Sequence, residues 1–502
     1  MLPFNRARAS AHGNGTVSIK RSTKNLSLSF ILAASAAACG GSDKEPDEKA
    51  SCHDDPSVCG DGTVCEQLGE SSYMCLPPVL VRGRVFDAST EAGVVGASIV
   101  ALDANGAARS RVARSLSDGS YELPVSVRRS EDGAPLTDKI TLRVGADDFQ
   151  TFPTPPRTSL AIDLVQAAQE SESDAGSDAA DAGIAAAWVV ENAATDVALI
   201  ALPTNERTGV SVEGKVSGDD PSGVLVLAIV GERAAASAIS DSDGSFVLFN
   251  VPEGSVALQG YRAGLSVTAK DASVPAAGLS GVVLEASEGG TGTVSGNINI
   301  VNAEGSLTTS VILVVASSFD AANARGEAPA GLRAADISGA FAIEGVPTGR
   351  YAVLAAFEND RLVRDPDEAI AGTSVVFVDV TAGGTVQLDQ SFKVTEALAV
   401  QSPGAENVEQ MAAGMLPLRW ADDSSEDGYE LRVYDALGTL VHENLNVPRV
   451  SGGAGVSYML DATSYQPGMI YQFRVKSWRE SRGKRSYISA TEDLRGVFEL
   501  SR

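Results

Sequence analysis

The chain has 502 residues, enough for about three or four domains that each bury a core. Its 50 Gly and 21 Pro, with aromatics at only 5%, predict an all-β chain of small sandwiches with Ala and Val cores, and argue against helical bundles. The formal net charge is −26, and because the first 38 residues hold five Lys and Arg and no acid, the rest is more acidic still; such a surface repels phosphate backbones and argues against nucleic acid as a partner.

Lys20, Arg21 and Lys24 precede an apolar run from Leu26 to Ala38 that ends in Ala36-Ala37-Ala38-Cys39. A basic stretch, a short apolar core and small residues before a cleavage point predict an export signal over 1–38, and the run is too short to cross a bilayer as a helix. The cysteine directly behind the small residues resembles a bacterial lipoprotein signal. An ordinary secretory signal with an unrelated thiol is the alternative. The resemblance implies lipid on Cys39, and two or three acyl chains make such an anchor permanent. Gly40 and Gly41, where an Asp would favour the inner membrane, imply an outer-membrane lipoprotein on the periplasmic or cell-surface face.

If Cys39 carries lipid, Cys52, Cys59, Cys65 and Cys75 remain as an even set. In an exported protein they predict two disulfides, with three connectivities left open. Zinc, with His53 beside Cys52, is the weaker alternative, since thiols in an oxidising compartment pair with one another. The spacing through Cys59-Gly60-Asp61-Gly62-Thr63-Val64-Cys65 resembles a truncated EGF-like knot, placed with the anchor and linker in 39–78.

Three stretches then repeat. Val81-Arg82-Gly83-Arg84-Val85, Val212-Glu213-Gly214-Lys215-Val216 and Val294-Ser295-Gly296-Asn297-Ile298 each precede an apolar strand and, further on, a turn leading into an aromatic and an aliphatic two residues apart. The turns are Ser117-Asp118-Gly119-Ser120-Tyr121, Ser242-Asp243-Gly244-Ser245-Phe246 and Ser338-Gly339-Ala340-Phe341. Asp-Gly supplies a positive-φ bend, and the spaced pair falls on one sheet face. This order resembles the carboxypeptidase regulatory-like, or transthyretin-like, β-sandwich family, and implies modules at 79–205, 206–288 and 289–395 with a spacer, carbohydrate-binding or surface-interaction role. Some relatives close a Lys-Asn isopeptide bond, but no Asn stands in the closing strand opposite Lys215.

Within the first module, residues 169–183 are nearly all acidic or small and predict a disordered insert, with Trp188–Val190 and Val197–Leu202 read as strands beyond it. From 396 to 502, Leu416-Pro417-Leu418-Arg419-Trp420, then Tyr429 to Asp435, then Tyr465 to Val475 resemble a fibronectin type III domain, in which Trp420 is the core tryptophan and Tyr471 the tyrosine corner. Alternation of Tyr471, Phe473 and Val475 inward leaves Arg474 and Lys476 outward. The tandem order places this domain furthest from the anchor.

Chemistry is sparse. Beyond the signal only His53 and His442 occur, with no Gly-x-Ser-x-Gly elbow, phosphate loop or His-Glu-x-x-His helix. Asp241-Ser242-Asp243-Gly244 and Asp423 to Gly428 lack the ligand spacing of a calcium loop and read as turns. No catalytic residue, metal or cofactor is assigned. One local anomaly is the cluster Arg474, Lys476, Trp478, Arg479, Arg482, Lys484 and Arg485, read as a candidate patch for an acidic glycan, a lipid head group or the protein's own acidic modules. The functional expectation is a non-catalytic envelope lipoprotein that binds or builds through its sandwiches, with an envelope glycan or surface protein as partner; the second reading is an accessory subunit of an envelope enzyme or secretion system.

Overall fold

Each glycine-punctuated opening strand lies between an antiparallel and a parallel neighbour. Val210–Ser217 pairs antiparallel with Ser245–Val251 and parallel with Leu279–Glu288. Gly292–Ile300 lies between Ala340–Val346 and the parallel Thr385–Gln387 and Phe392–Glu396. Val79–Asp87 lies between Ser120–Val125 and the parallel Trp188–Val190 and Val197–Leu199. The computed structural model describes residues 52–501, apart from 54, 61, 70–71, 171–186, 304–306, 322–323, 358–359, 424 and 451–454.

The two recurring positions of the sequence prove to be partners across the ladder. Gly83 faces Tyr121, Gly214 faces Phe246 and Gly296 faces Phe341. A Cβ on Gly214 would stand 2.5 Å from Phe246 Cζ, and one on Gly296 2.8 Å from Phe341 Cζ. On Gly83 it would meet the Thr195 carbonyl at 2.2 Å and the Tyr121 hydroxyl at 2.9 Å. The ring fills the space that the glycine leaves free, which is why the two residues recur together. The turn is less constant: Gly119 and Gly244 take φ of 84° and 88°, but in the third copy the positive φ falls on Asp336, at 56°, not on Gly339.

A second sheet closes each module. In the second it runs Arg233–Ile239, Leu225–Val230, Gly254–Tyr261, Lys270–Val274; in the third Arg333–Ile337, Thr309–Val315, Gly349–Ala355, Val376–Val380. In the first it runs Ala113–Arg114, Ser98–Leu102, Lys139–Gly145, Ile162–Asp163. Apolar residues from both sheets share one core, for example Val212, Phe246 and Leu248 with Val226, Ala228 and Leu258. The C-terminal region is a further sandwich, with Met415–Trp420 central in one sheet and Ile470–Ser481 between Gly428–Asp435 and Val497–Leu500 in the other. Trp420 is fully buried edge-on to Tyr429, and the Tyr471 hydroxyl accepts the Gln466 amide at 2.9 Å.

Ahead of the sandwiches the cysteines pair as Cys52–Cys65 and Cys59–Cys75 around the hairpin of Val64–Leu68 and Ser72–Leu76. Glu66 reaches from this hairpin into the first sandwich, where its carboxylate meets Arg129 Nε at 2.6 Å and accepts the Val127 amide at 2.9 Å. Arg129, 1% exposed, also donates to the Pro77 carbonyl at 2.7 Å.

Two expectations change. Ala168–Gln169 is a short strand against Trp188–Val190 and Glu170 pairs with Arg82, so the acidic insert begins inside an ordered sheet; residues 171–183 lie outside the described residues, as do the 1–38 signal and Cys39. The fourth sandwich is also not held away from the first. Ala88, Ala198 and Ile200 of the first pack into the apolar cluster of Trp420 and Leu418, and Gln150 Nε2 donates to the Ala436 carbonyl at 2.7 Å. Apolar edges left over from the first module are covered this way, which a linear string would leave wet.

Candidate functional site

In Gly428–Asp435 and Ile470–Ser481 the inward residues make the core and the outward ones make a polar face. The register sets Glu430 opposite Lys476 and Arg432 opposite Arg474. Like charges directly opposed across a ladder are unfavourable. Here each has a local counter-charge: Arg432 meets Glu443 at 2.8 Å and Glu430 at 3.5 Å, and Arg474 meets Asp493.

This face is not open to solvent. The strand Leu362–Arg364 and the segment after it, with Ala321 and Ala324, cover it from the third sandwich and leave a cleft of about 360 Å³. The expectation that Arg474 and Lys476 stand exposed is therefore corrected; both are half-buried, because a neighbouring module occupies the side that strand alternation turns outward. Burial pushes Arg474 down to about 10, with the nearby Arg325 and Arg364 charges acting the same way. Burial, then the Arg474 charge, lowers Lys476, and burial lowers Arg364.

The acids of the cleft are mostly engaged. Asp365 pairs with Lys393 at 2.8 Å and Asp493 with Arg474. Glu430, 5% exposed, accepts the Tyr487 hydroxyl at 2.7 Å through Oε1, while Oε2 accepts no hydrogen bond among the described residues. Among those residues Arg364 and Lys476 form no ion pair within 4.0 Å; the Lys476 ammonium lies over the Tyr487 ring at 5.3 Å, and Glu368 offers Arg364 only a distant attraction. Glu368 and the cross-strand Glu430 attract Lys476 as well without forming an ion pair, and cations held this way in a half-buried cleft can take an anionic group.

The sequence-predicted patch divides between two places. Arg474 and Lys476 enter the cleft. Trp478 is buried under Arg485, whose guanidinium lies 3.9 Å from the ring and donates to the Leu445 carbonyl at 2.8 Å. Arg479 donates through Nε to the Ser425 carbonyl at 2.8 Å. Arg482 and Lys484 stay exposed where Ile470–Ser481 turns into Lys484–Ala490. Sequence reasoning missed Arg364, Glu430 and Arg432. The alternation Glu430-x-Arg432-x-Tyr434 marked an outward polar face, but nothing local marked its cover.

The remaining candidates sit in ordinary surroundings. All four knot cysteines are spent on disulfides, which leaves no thiolate for the zinc alternative, and His53 stacks on Tyr73. Nε2 of His442 lies 2.9 Å from the Tyr458 hydroxyl, and burial lowers its proton affinity. Lys215 is exposed, beside Val283 of the closing strand. Asp241 accepts the amides of Asp243 at 3.0 Å and Ser245 at 2.9 Å, and its other oxygen accepts the Val112 amide of the first sandwich at 3.0 Å. That carboxylate ties a turn to a neighbouring module.

No protein-family model matches the chain, and no curated protein matches it. Among solved structures, the Bacillus anthracis TIE protein is 9% identical, with 84% of this chain and 72% of that one covered at a TM-score of 0.15. BcpA, the major pilin subunit of Bacillus cereus, is 9% identical over 64% of this chain and 99% of its own, at 0.17. A putative carbohydrate binding protein from Bacteroides uniformis is 13% identical over 42% and 99%, at 0.18. Superpositions this loose carry no argument about arrangement or role.

Proposed function

We propose that this chain is a non-catalytic envelope lipoprotein, anchored through Cys39 in the outer membrane, whose interlocked sandwiches bind an envelope glycan or surface component in the cleft between the third and fourth. The observation that carries the binding reading is the cleft itself: about 360 Å³ at a junction of modules, lined by guanidinium, ammonium and carboxylate groups. Junctions of this kind are where ligand pockets commonly form, and the volume lies in the usual range for small ligands. The basic and apolar sequence ahead of Cys39 and the two disulfides support the address.

Binding of the purified chain to envelope polysaccharide fractions tests the proposal with two variants. Ala490→Trp places an indole at the cleft wall, whereas Arg482→Ser and Lys484→Ser together strip the exposed hairpin turn. Loss with Ala490→Trp alone supports the cleft, and loss with the double hairpin variant alone moves the site to the hairpin. No binding by the parent chain sinks the binding role. In the same preparation a Cys39→Ser chain is expected in the aqueous phase of a detergent partition; if it fractionates with the membrane, the lipid anchor is refuted.

A further inference from the structure

The cleft carries mixed charge, and that narrows what it can hold. Four of its lining residues are cationic, Arg364, Arg432, Arg474 and Lys476, and four are acidic, Asp365, Glu368, Glu430 and Asp493. Three of the acids and two of the cations are engaged in ion pairs. The groups left with unmet capacity are Arg364 and Lys476, cations without an ion pair among the described residues; Glu430 Oε2 has the Arg432 guanidinium at 3.5 Å as counter-charge but accepts no hydrogen bond there. A carboxylate oxygen with a counter-charge but no hydrogen bond still has lone-pair capacity for a donor.

Three ligand classes can be compared with these vacancies. A sulfated or phosphorylated polymer would bring more negative charges than the two cations without ion pairs can meet, beside carboxylates already present. A neutral sugar would supply hydroxyl donors to Glu430 but leave Arg364 and Lys476 without an anion. A sugar with a single carboxylate satisfies both: the carboxylate meets the cations in charge-assisted hydrogen bonds, and a hydroxyl donates to Glu430.

We propose that the cleft between the third and fourth sandwiches binds a uronate residue of an acidic polysaccharide, its carboxylate held by Arg364 and Lys476 and a ring hydroxyl donating to Glu430. This rests on the cleft being the binding site. The cations come from different modules, so the ligand also bridges the third sandwich to the fourth.

The test is calorimetric titration of the full mature chain with oligosaccharides of galacturonic and glucuronic acid, the methyl esters of the same oligosaccharides, and dextran sulfate. The free acids are expected to bind. The esters should bind at least roughly tenfold more weakly, the scale of one charge-assisted hydrogen bond. Lys476→Gln and Arg364→Gln should each weaken the acids by a similar factor, and Lys476→Arg should retain most of the affinity. Where Arg364→Gln lowers the melting temperature, the Lys476 pair alone decides. If esters and free acids bind equally and Ala490→Trp abolishes both, the cleft stands and the carboxylate assignment falls. Tighter binding of dextran sulfate overturns the mono-anion reading, and absence of uronate binding at millimolar concentration overturns the proposal. Binding of uronates untouched by Ala490→Trp instead removes the cleft as the site.

Discussion

At the scale of single residues, the pairing of a glycine with an aromatic ring organises the first three sandwiches. Phe246 is 1% exposed and lies where a side chain on Gly214 would be. Phe246→Ala should therefore destabilise the second sandwich by about 3–5 kcal/mol, as expected for emptying a core of a ring, and Phe246→Leu by less. Chemical denaturation reads the difference, and an effect of Phe246→Ala below about 1 kcal/mol would contradict the assigned packing. Both positions were legible in the sequence because each recurs three times, but recurrence does not say that they touch. Glu66 and Arg129 show the opposite case: each occurs once, and no local pattern marks either as buried. Their partnership exists only because the disulfide hairpin docks on the first sandwich.

At the scale of elements, two strands carry more apolar residues than one core needs. Leu225–Val230 turns Val226 and Ala228 into its own module and Leu225, Leu227 and Ile229 toward the third. Thr309–Val315 is buried along its whole length, with Val311, Leu313 and Val315 on one face and Ile312 and Val314 on the other. A continuous apolar run means a strand covered on both faces, so the sequence held a sign that these modules are packed against neighbours. Polar elements reinforce the same junction. Arg143 of the first sandwich and Ser237 of the second both reach Glu327 of the third, at 3.1 and 2.5 Å. Burial alone would raise the Glu327 carboxyl, but the Arg143 charge and the hydrogen bonds from Arg143 and Ser237 bring it below the usual carboxylate range. A carboxyl whose folded affinity for protons is depressed stabilises the fold fully above its unfolded value, and that contribution disappears as pH falls through the depressed value. Glu327→Gln should accordingly lower the melting temperature at neutral pH and leave it nearly unchanged in strong acid. Equal losses at both extremes would remove the ionic role.

At the scale of the whole molecule, the described sandwiches form one body in which the fourth closes on the first as well as on the third. The Ala436 carbonyl accepts from Gln150 of the first and from Arg325 of the third, at 2.7 and 3.2 Å. Ile200, 3% exposed, inserts from the first sandwich into the core cluster of the fourth. Ile200→Asp would bury a carboxylate without a partner and should release the fourth sandwich, because such a group cannot be desolvated at reasonable cost. Small-angle scattering should then show a larger radius of gyration, with a separate early thermal transition; an unchanged radius and a single transition would contradict the interlock. A body closed in this way also explains why the basic run of the last sandwich divides. Arg474 and Lys476 are roofed by the third module, whereas Arg482 and Lys484 remain outside at a turn.

What the sequence determined by itself was the β architecture, the repeated opening strand and turn, the set of cysteines that pair, and the aromatic core of the last sandwich. These follow from local rules: alternation, turn chemistry and oxidation of neighbouring thiols act within a few tens of residues. The tertiary structure decided which faces meet. The cleft draws Arg364 from one module and Glu430, Arg432 and Lys476 from another, more than sixty residues along the chain. Each residue alone reads as an ordinary charged position on a strand. Only packing removes water from around them and leaves Arg364 and Lys476 without an ion pair, since desolvation belongs to the assembled surface and not to any stretch of chain.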